Sequence, residues 1–447
     1  PGANGIEEGL PNLSQWHARR IDHDRNLSML HSLWVKHQPA SFPAHEITAE
    51  FTHHSLSAKR HTRFTDEQHY LLLENRMDHQ QSRLSMRLDH RFTASPFVSL
   101  HSGVFLRHDA MDDAALPATA LSFSDKGQAF YSQITARTAK LSLSGGLRLE
   151  QQKVSLRGND AATHIRLLPA AELNYAYASG RQLSLQYREA LRRPGYTRLN
   201  PGQRYTDPFS YLTGNPGLKQ SHEKSLHLAW AATFDKGFLS ARLYYRRWND
   251  VIEALARPDA SGSIENLYMN VGRLQEPGIQ TALSWQLSPG INVSGSLDIS
   301  WVNAVLSSPY ANDFHAGPAK WATGAGGAIT AGLTHGFSAS LALQHSSPKP
   351  GVLHSRWMGT QYFLSLHKEL NHGLSASLSS AMPLGRRYTY HASAYAQPEL
   401  QMQSQGQILM SAVPLWMSIS WSFGGETSAR SRLRNLPRAE EEPRGIL

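Results

Sequence analysis

A long loop rich in proline and glycine lies between two segments in which apolar and polar residues alternate. This stretch of the sequence is the one that indicates the fold. The loop contains RPGYTRLNP at residues 193–201, DPF at 207–209 and TGNPGLK at 213–219. Apolar and polar side chains alternate before it, over residues 183–187, and after it, over residues 225–230. A period of two residues predicts strands with one apolar face. The stretch is therefore predicted to be a strand, a long loop and a second strand.

Connections of two lengths alternate along the chain. Short connections stand near 179–180, 235–237, 288–290, 335–336 and 371–373, and long ones at 192–221, 249–264, 303–320, 346–357 and 384–411. Transmembrane β-barrels have tight turns at the periplasmic rim and longer loops outside. The alternation of short and long connections therefore predicts an all-β fold, namely a transmembrane antiparallel up-and-down β-barrel.

The composition is compatible with a barrel wall and excludes other classes. Hydrophobic residues make up 40% of the 447, the mean hydropathy is -0.42, and cysteine is absent. No run of about 18 apolar residues exists, so a helical membrane span is not predicted. A barrel wall needs only every second residue to be apolar, as in Ile291–Trp301, the clearest alternation of all. The absence of cysteine excludes disulfides and thiolate metal sites.

The net charge of +9 could indicate an acidic partner. Much of the excess is distributed through the strands, with a further cluster at Arg430, Arg432 and Arg434, so ordinary solvated charge is predicted and no nucleic-acid partner. The chain starts at Pro1 without a basic, then apolar, leader, so a mature or excised fragment is expected rather than an intact precursor.

The loop motifs resemble the C-terminal β-barrel of TonB-dependent outer-membrane receptors, in particular the Bacteroidota-type outer-membrane β-barrel family. In that family an RRP.Y..LNP segment ends one strand and a GNP.LK segment begins the next. The segment 270–278 and the closing strand 415–425 are also similar to family segments. The positions that match structurally are Arg193, Pro194, Asn200, Pro201, Asp207, Pro208, Gly214, Asn215, Pro216, Leu218 and Phe423.

The resemblance implies a barrel of about 22 strands that surrounds an N-terminal plug. Counting alternating segments back from Phe423 gives roughly 17 strands, and no plug-like segment is found, so a partial receptor is expected. Three regions are predicted, namely an irregular segment at 1–25, the barrel at 26–424 and a polar tail at 425–447.

The same resemblance implies a function without bond chemistry. A receptor of this family in the outer membrane of a Gram-negative bacterium would take up a nutrient such as a siderophore, oligosaccharide or peptide. Its partners would be outer-membrane lipid, the extracellular nutrient, and the TonB complex acting through a plug. No cofactor is implied. Two alternatives stay open at this point, a self-contained diffusion porin or adhesin-type barrel, and a soluble β-rich binding protein.

Aromatic residues in or beside the long loops are the candidate ligand contacts, because their rings can stack on a ligand. They are Tyr196, Tyr205, Phe209, Tyr211 and Trp248. An aromatic girdle at the membrane interface explains several of them equally well. A set of arginines is predicted on the polar face, where pairing with Asp89, Glu172 or plug carboxylates is expected. These arginines are Arg83, Arg87, Arg148, Arg188, Arg242 and Arg246.

The sequence does not support a metal site, a phosphate-binding loop or a catalytic serine. The chain has 23 histidines, but the adjacent His53 and His54 would face opposite sides of a strand, and no His-Glu-x-x-His motif occurs. No Gly-x-Ser-x-Gly elbow is found. The small residues 324–327 lack the lysine of a phosphate-binding loop. No metal site and no catalytic residue is therefore predicted.

Overall fold

The structure, a computed structural model, describes residues 2–5, 16–66, 68, 70–113, 121–156, 159–260, 262–310, 315–357, 359–370, 373–381, 387–394, 402–409 and 415–421. Phe423 and the polar tail predicted at 425–447 lie outside the described residues. No helix of the described residues is long and apolar enough to cross a membrane.

Strands make up nearly all of the structure. The first group is β1 (Gly2–Gly5), β2 (Trp16–His37), β3 (His45–Thr65), β4 (Leu71–Ser95), β5 (Val98–Asp113), β6 (Leu121–Arg137), β7 (Leu141–Leu156), β8 (Asn159–Ala178) and β9 (Arg181–Arg192). The central loop holds α1 (Tyr196–Leu199), β10 (Arg204–Asp207) and β11 (Ser210–Thr213).

The second group of strands follows the central loop. It comprises β12 (Ser221–Phe234), β13 (Gly237–Pro258), β14 (Ile264–Ser288), β15 (Ile291–Leu306), β16 (Lys320–Gly332), β17 (Phe337–Ser346), β18 (Lys349–Pro350), β19 (His354–Trp357), β20 (Thr360–Glu369), β21 (Leu374–Ala381), β22 (Arg387–Ala394), β23 (Met402–Leu409) and β24 (Leu415–Trp421). Short 3-10 turns lie at Ser308–Tyr310 and Thr334–Gly336.

One antiparallel wall runs through the chain in sequence order. Its 17 strands are β2 to β9, β12 to β17, β20, β21 and β24, each paired with the next. This confirms the predicted up-and-down topology and strand count. β1 adds to the edge at β2, and β18, β19, β22 and β23 form a separate sheet. Within the described residues no pairing joins β24 to β1 or β2, so the sheet is open.

The two faces of the wall differ in the way a membrane barrel requires. On neighbouring strands Leu243 and Ile279 pair in register on one face, where they are 54% and 38% exposed. On the opposite face Tyr244 and Ser300 are only 7% and 1% exposed. An apolar exposed face and a polar buried face suit a wall with lipid outside and a hydrated lumen inside. We call the polar face the inner face.

Strands extend further than the sequence pattern predicted. The loop expected at 249–264 is wrong, because β13 continues to Pro258 and β14 begins at Ile264. The irregular segment expected at 1–25 is wrong where β1 and the start of β2 lie, from Gly2 to Gly5 and from Trp16 onward. Beyond the bilayer neither face meets lipid, so strands there carry no alternation of apolar and polar residues.

The two rims of the wall can be distinguished by labelling, since the chain has no cysteine of its own. We expect Phe209→Cys, at the tip of the β10–β11 hairpin, to react with a membrane-impermeant maleimide on intact cells. Lys236→Cys, in the turn between β12 and β13, should react only after the outer membrane is permeabilised. Labelling of both positions on intact cells would contradict this orientation.

Candidate functional site

A β-bulge redirects the β13–β14 hairpin above the wall. The register shifts between Trp248 and Val251, and Asp250 adopts a φ of 53°. Asn270 Nδ2 donates to the Asp250 carbonyl over 2.9 Å and to the Lys219 carbonyl over 3.0 Å. A bulge bends its strand and re-aims its side chains. Beyond residue 250, Ile252 and Tyr268 pack against the cluster that contains Leu199 and Leu218, and Leu255 packs with Val352 and Leu353.

The two motif segments of the central loop are hydrogen-bonded to each other, and these bonds close the loop. The backbone N–H of Gly214 donates to the Asn200 carbonyl over 2.8 Å, and that of Asn215 to the Arg198 carbonyl over 2.7 Å. A Cβ at Gly214 would lie 2.3 Å from the Asn200 carbonyl oxygen, so this close approach requires glycine. The Asn200 and Asn215 side chains also accept from the backbone two residues on, which forms Asx turns.

The closed loop packs onto the inner face of the wall. Leu199 and Leu218, 2% and 5% exposed, lie in a buried cluster with Met111, Phe123 and Leu156 of β5, β6 and β7. Burying a leucine side chain fully contributes about 2 kcal/mol. The loop therefore folds inward over the mouth of the barrel instead of projecting away from it.

A second loop, residues 347–357, covers the other side of the hairpin. Val352 and Val271, both 0% exposed, belong to one apolar cluster together with Leu353. The carboxylate of Glu253 accepts hydrogen bonds from the backbone N–H of Val352 over 2.8 Å and of Leu353 over 2.7 Å. His354 Nδ1 lies 3.2 Å from the same carboxylate. Glu253 thus fastens the loop to β13.

Two opposing effects set the pKa of Glu253. Burial by itself would raise it, but the hydrogen bonds from His354 and from the backbone of Leu353 and Val352 outweigh burial and hold the pKa below its ordinary value. A carboxylate with a lowered folded-state pKa stabilises the fold above its unfolded pKa of about 4.3. That stabilisation is lost as the pH falls through the lower folded value.

We expect Glu253→Gln to release the 347–357 loop. The two charge-assisted hydrogen bonds contribute about 1.5 to 3 kcal/mol each, and the amide cannot replace both. Trypsin should then cut after Arg356, the basic residue of this loop that is not followed by proline, at neutral pH, where the ionised carboxylate of the unaltered protein keeps the loop in place.

Glu265→Gln is the matched control, because Glu265 lies on the same hairpin and pairs with the 53% exposed side chain of Arg257. An exposed pair of this kind contributes at most about 1 kcal/mol. Equal cleavage of the Glu253 and Glu265 variants would refute the role given to Glu253.

The aromatic residues predicted as ligand contacts do not form one site. Tyr205 and Tyr211 face each other across the β10–β11 hairpin, with ring centroids 5.6 Å apart. Phe209, at the tip, is 43% exposed. The Tyr211 hydroxyl donates to Asp259 over 2.9 Å, and burial together with this bond raises the pKa of Tyr211 to about 12. These three rings lie on the outer hairpin.

The other two predicted aromatics are separated as well. Tyr196 packs edge-on to Phe123, at 5.6 Å, inside the cluster beneath the loop. Trp248 faces inward, and the guanidinium of Arg246 lies 5.4 Å from its ring. Trp248 is therefore the one predicted aromatic that lines an inner cavity of about 330 Å³.

That cavity lies where the bulge, the central loop and the second loop meet. Its charged lining residues are Arg192, Arg198, Arg246, Lys349 and Glu276. Glu276, 1% exposed, accepts from Arg246 and from Lys349, each over 2.7 Å. No local motif in the sequence marks Glu276 or Lys349, because they meet only when loop 347–357 folds onto β14.

Part of the predicted inner arginine set forms ion pairs. Arg83 contacts Asp109 at 2.7 Å, and Arg148 is bonded to Glu150. Arg246 binds Glu276 as described. Arg87 instead lies 5.8 Å from the centroid of the Phe105 ring.

Of the predicted carboxylate partners, Asp89 is attracted by the charge of Arg87 but forms its hydrogen bonds elsewhere, and Glu172 is bonded to an amide. Asp89 is bonded to His101 and Tyr131, and Glu172 accepts from Asn174 over 2.9 Å. Cross-strand register decides which charges meet, and the sequence alone does not fix that register.

The histidines of the described residues are bonded mainly to their neighbours in the sheet. His53 lies 3.2 Å from the Ser82 hydroxyl, and His54 lies 2.8 Å from that of Ser28. Within the described ranges no group of three or more histidine, cysteine, aspartate or glutamate side chains is placed to hold a metal ion.

An open-ended antiparallel wall with a lipid-compatible outer face defines the protein as an outer-membrane β-barrel. Residues 109–411 match the model of the outer membrane protein beta-barrel family. The chain belongs to this family, and its location is the outer membrane.

Solved structures with the same fold include transport proteins. The copper transporter OprC aligns with a TM-score of 0.60 and 14% identity over 92% of this chain and 66% of its own. The ferric-catecholate import receptor Fiu from K12 E. coli gives 0.59 and 12% over 89% and 64%. The FrpB iron transporter from Neisseria meningitidis, F5-1 variant apoprotein, gives 0.54 and 12% over 91% and 66%.

These likenesses establish the fold, and the chain spans about two thirds of the length of each of the three structures. The predicted resemblance to the barrel of TonB-dependent receptors is confirmed at that level. No curated protein matches the sequence.

Proposed function

We propose that this chain forms the wall of a TonB-dependent outer-membrane receptor that imports a scarce nutrient. The observation that supports this most is the 17-strand wall, whose fold is shared with import receptors and transporters for copper and iron. A nutrient of the siderophore, oligosaccharide or peptide class would be captured at the mouth and passed through the barrel.

The mouth is built for binding and gating. The central loop and loop 347–357 fold inward, and the second is held by the carboxylates of Glu253 and Glu276. Loops fastened by a few hydrogen bonds can move when a ligand competes for the same space. In this proposal a plug within the barrel couples ligand capture to the TonB complex. No residue makes or breaks a covalent bond, so we propose a transporter and not an enzyme.

Dependence of uptake on TonB distinguishes an energy-coupled receptor from a passive pore, so the experiment measures uptake with and without TonB. In the native host, deletion of the gene should abolish uptake of one member of a panel of labelled siderophores, copper and iron complexes, oligosaccharides and peptides. Loss of TonB should abolish the same uptake, and the gene restored on a plasmid should recover it only when TonB is present.

The rival function is passive diffusion through a porin. Uptake by a porin would depend on the gene but would persist without TonB, and it would rise linearly with solute concentration. Saturable, TonB-dependent uptake supports the proposal, and linear, TonB-independent flux would replace it with the porin.

A further inference from the structure

The inner cavity beside Trp248 carries an excess of positive charge. Four cationic side chains and one carboxylate line it, which leaves a formal charge of +3. The carboxylate of Glu276 is already shared by Arg246 and Lys349. The remaining cations, Arg192 and Arg198, are therefore not compensated by Glu276.

Neither of these arginines has a carboxylate partner among the residues that the structure describes. Arg198 lies on α1 with its guanidinium 5.7 Å from the centroid of the Tyr268 ring, and Arg192 ends β9. Arginine stays charged at any physiological pH and offers a planar fork of donors that fits carboxylate or phosphate oxygens. Two arginine guanidinium groups at one cavity are suited to bind an anionic ligand.

Other residues that line the cavity are apolar. Trp248 lines it together with Val251, Ile252 and Pro350. An aromatic ring beside aliphatic side chains can pack against the flat or apolar body of a ligand.

The volume of the cavity, about 330 Å³, falls in the range of small-molecule sites. We infer that it binds a small organic anion with at least two carboxylate or phosphate groups and a flat or apolar body. The anionic groups meet Arg192 and Arg198, and the body lies against Trp248. The inference deepens the proposed function, since it names the chemical class recognised at the mouth.

The probe for this site is benzene-1,3,5-tricarboxylate, a flat ring with three carboxylates. Its neutral counterpart is benzene-1,3,5-trimethanol. Titration calorimetry on protein extracted from outer membranes in detergent should detect binding of the first and none of the second. The affinity should fall as the salt concentration rises, because ions screen the attraction.

Substitutions separate the contributions of the charges and of the aromatic ring. Arg192→Gln and Arg198→Gln should each weaken binding about ten-fold, the usual effect of losing one charge-assisted hydrogen bond. Trp248→Ala removes the ring against which the body of the ligand lies, and should weaken binding about five-fold. Arg257→Gln removes an equal charge from a 53% exposed side chain outside the cavity and should change nothing.

Each variant is checked for folding by its heat-modifiable migration in electrophoresis. Equal affinity for the neutral alcohol, unchanged affinity in both arginine variants, or no binding to folded protein would overturn the inference. The titration does not involve TonB, so its failure leaves the transport proposal standing, and TonB-independent uptake leaves the anion site standing.

Discussion

Leu297→Arg is expected to destabilise the folded protein by about 2 to 4 kcal/mol. Leu297 lies in β15, seven residues from the β14–β15 turn at Pro289–Gly290, and is 41% exposed on the apolar face. With strands tilted in the membrane, that position is near the middle of the bilayer. An arginine there must carry its charge into hydrocarbon or distort the bilayer to reach water.

The control is Ser296→Arg, one residue earlier and on the inner face. Its register partners are Ala282 and Gly326, so space is available, and Asp298 on the same face offers a counter-charge. The cost there should be below about 1 kcal/mol. Urea unfolding of protein made from the complete reading frame and refolded into lipid vesicles, followed by tryptophan fluorescence, measures both losses of stability. Equal losses at 296 and 297 would show that this face does not meet lipid.

The sequence predicted the wall because the membrane imposes a simple rule on it. Between the rims one face meets hydrocarbon and the other meets water or polar protein, so Leu243, Ile279 and Leu297 stand at every second position of their strands. The short turns at one rim follow from the same geometry. Topology and strand count could therefore be predicted without knowledge of any contact.

The mouth could not be predicted in this way. Above residue 250 both faces of the β13–β14 hairpin are covered by protein, so the alternation ends and the sequence pattern indicates a loop where the strands continue. The hydrogen bond that the Val352 N–H donates to Glu253 joins residues 99 positions apart. The cavity charge likewise depends on Lys349 reaching Glu276, 73 positions away. Such pairs form when the loops fold, and loop folding produces no periodic pattern of residues in the sequence.

Expressed alone, residues 1–447 are expected not to give a stable, pore-forming monomer. Within the described residues β24 pairs only with β21, and no strand closes the wall against β2. Both faces of β24 are also open, since Met417 and Trp416 are 71% and 55% exposed on opposite sides. In hydrocarbon each unsatisfied backbone group costs several kcal/mol. A few such groups exceed the total stability of about 5 to 15 kcal/mol that a folded domain possesses.

A free edge in a membrane must therefore be paired, by further strands of the protein or by the edge of another copy. The same residues within the complete reading frame should migrate as a heat-modifiable monomer, whereas residues 1–447 alone should aggregate or associate edge to edge. Electrophoresis with and without heating, and single-channel conductance in planar bilayers, distinguish these outcomes. A heat-modifiable monomer of residues 1–447 with stable conductance would mean that the wall closes on itself. That result would favour the porin over the receptor, because a self-closed wall needs neither additional strands nor a plug to be stable in the membrane.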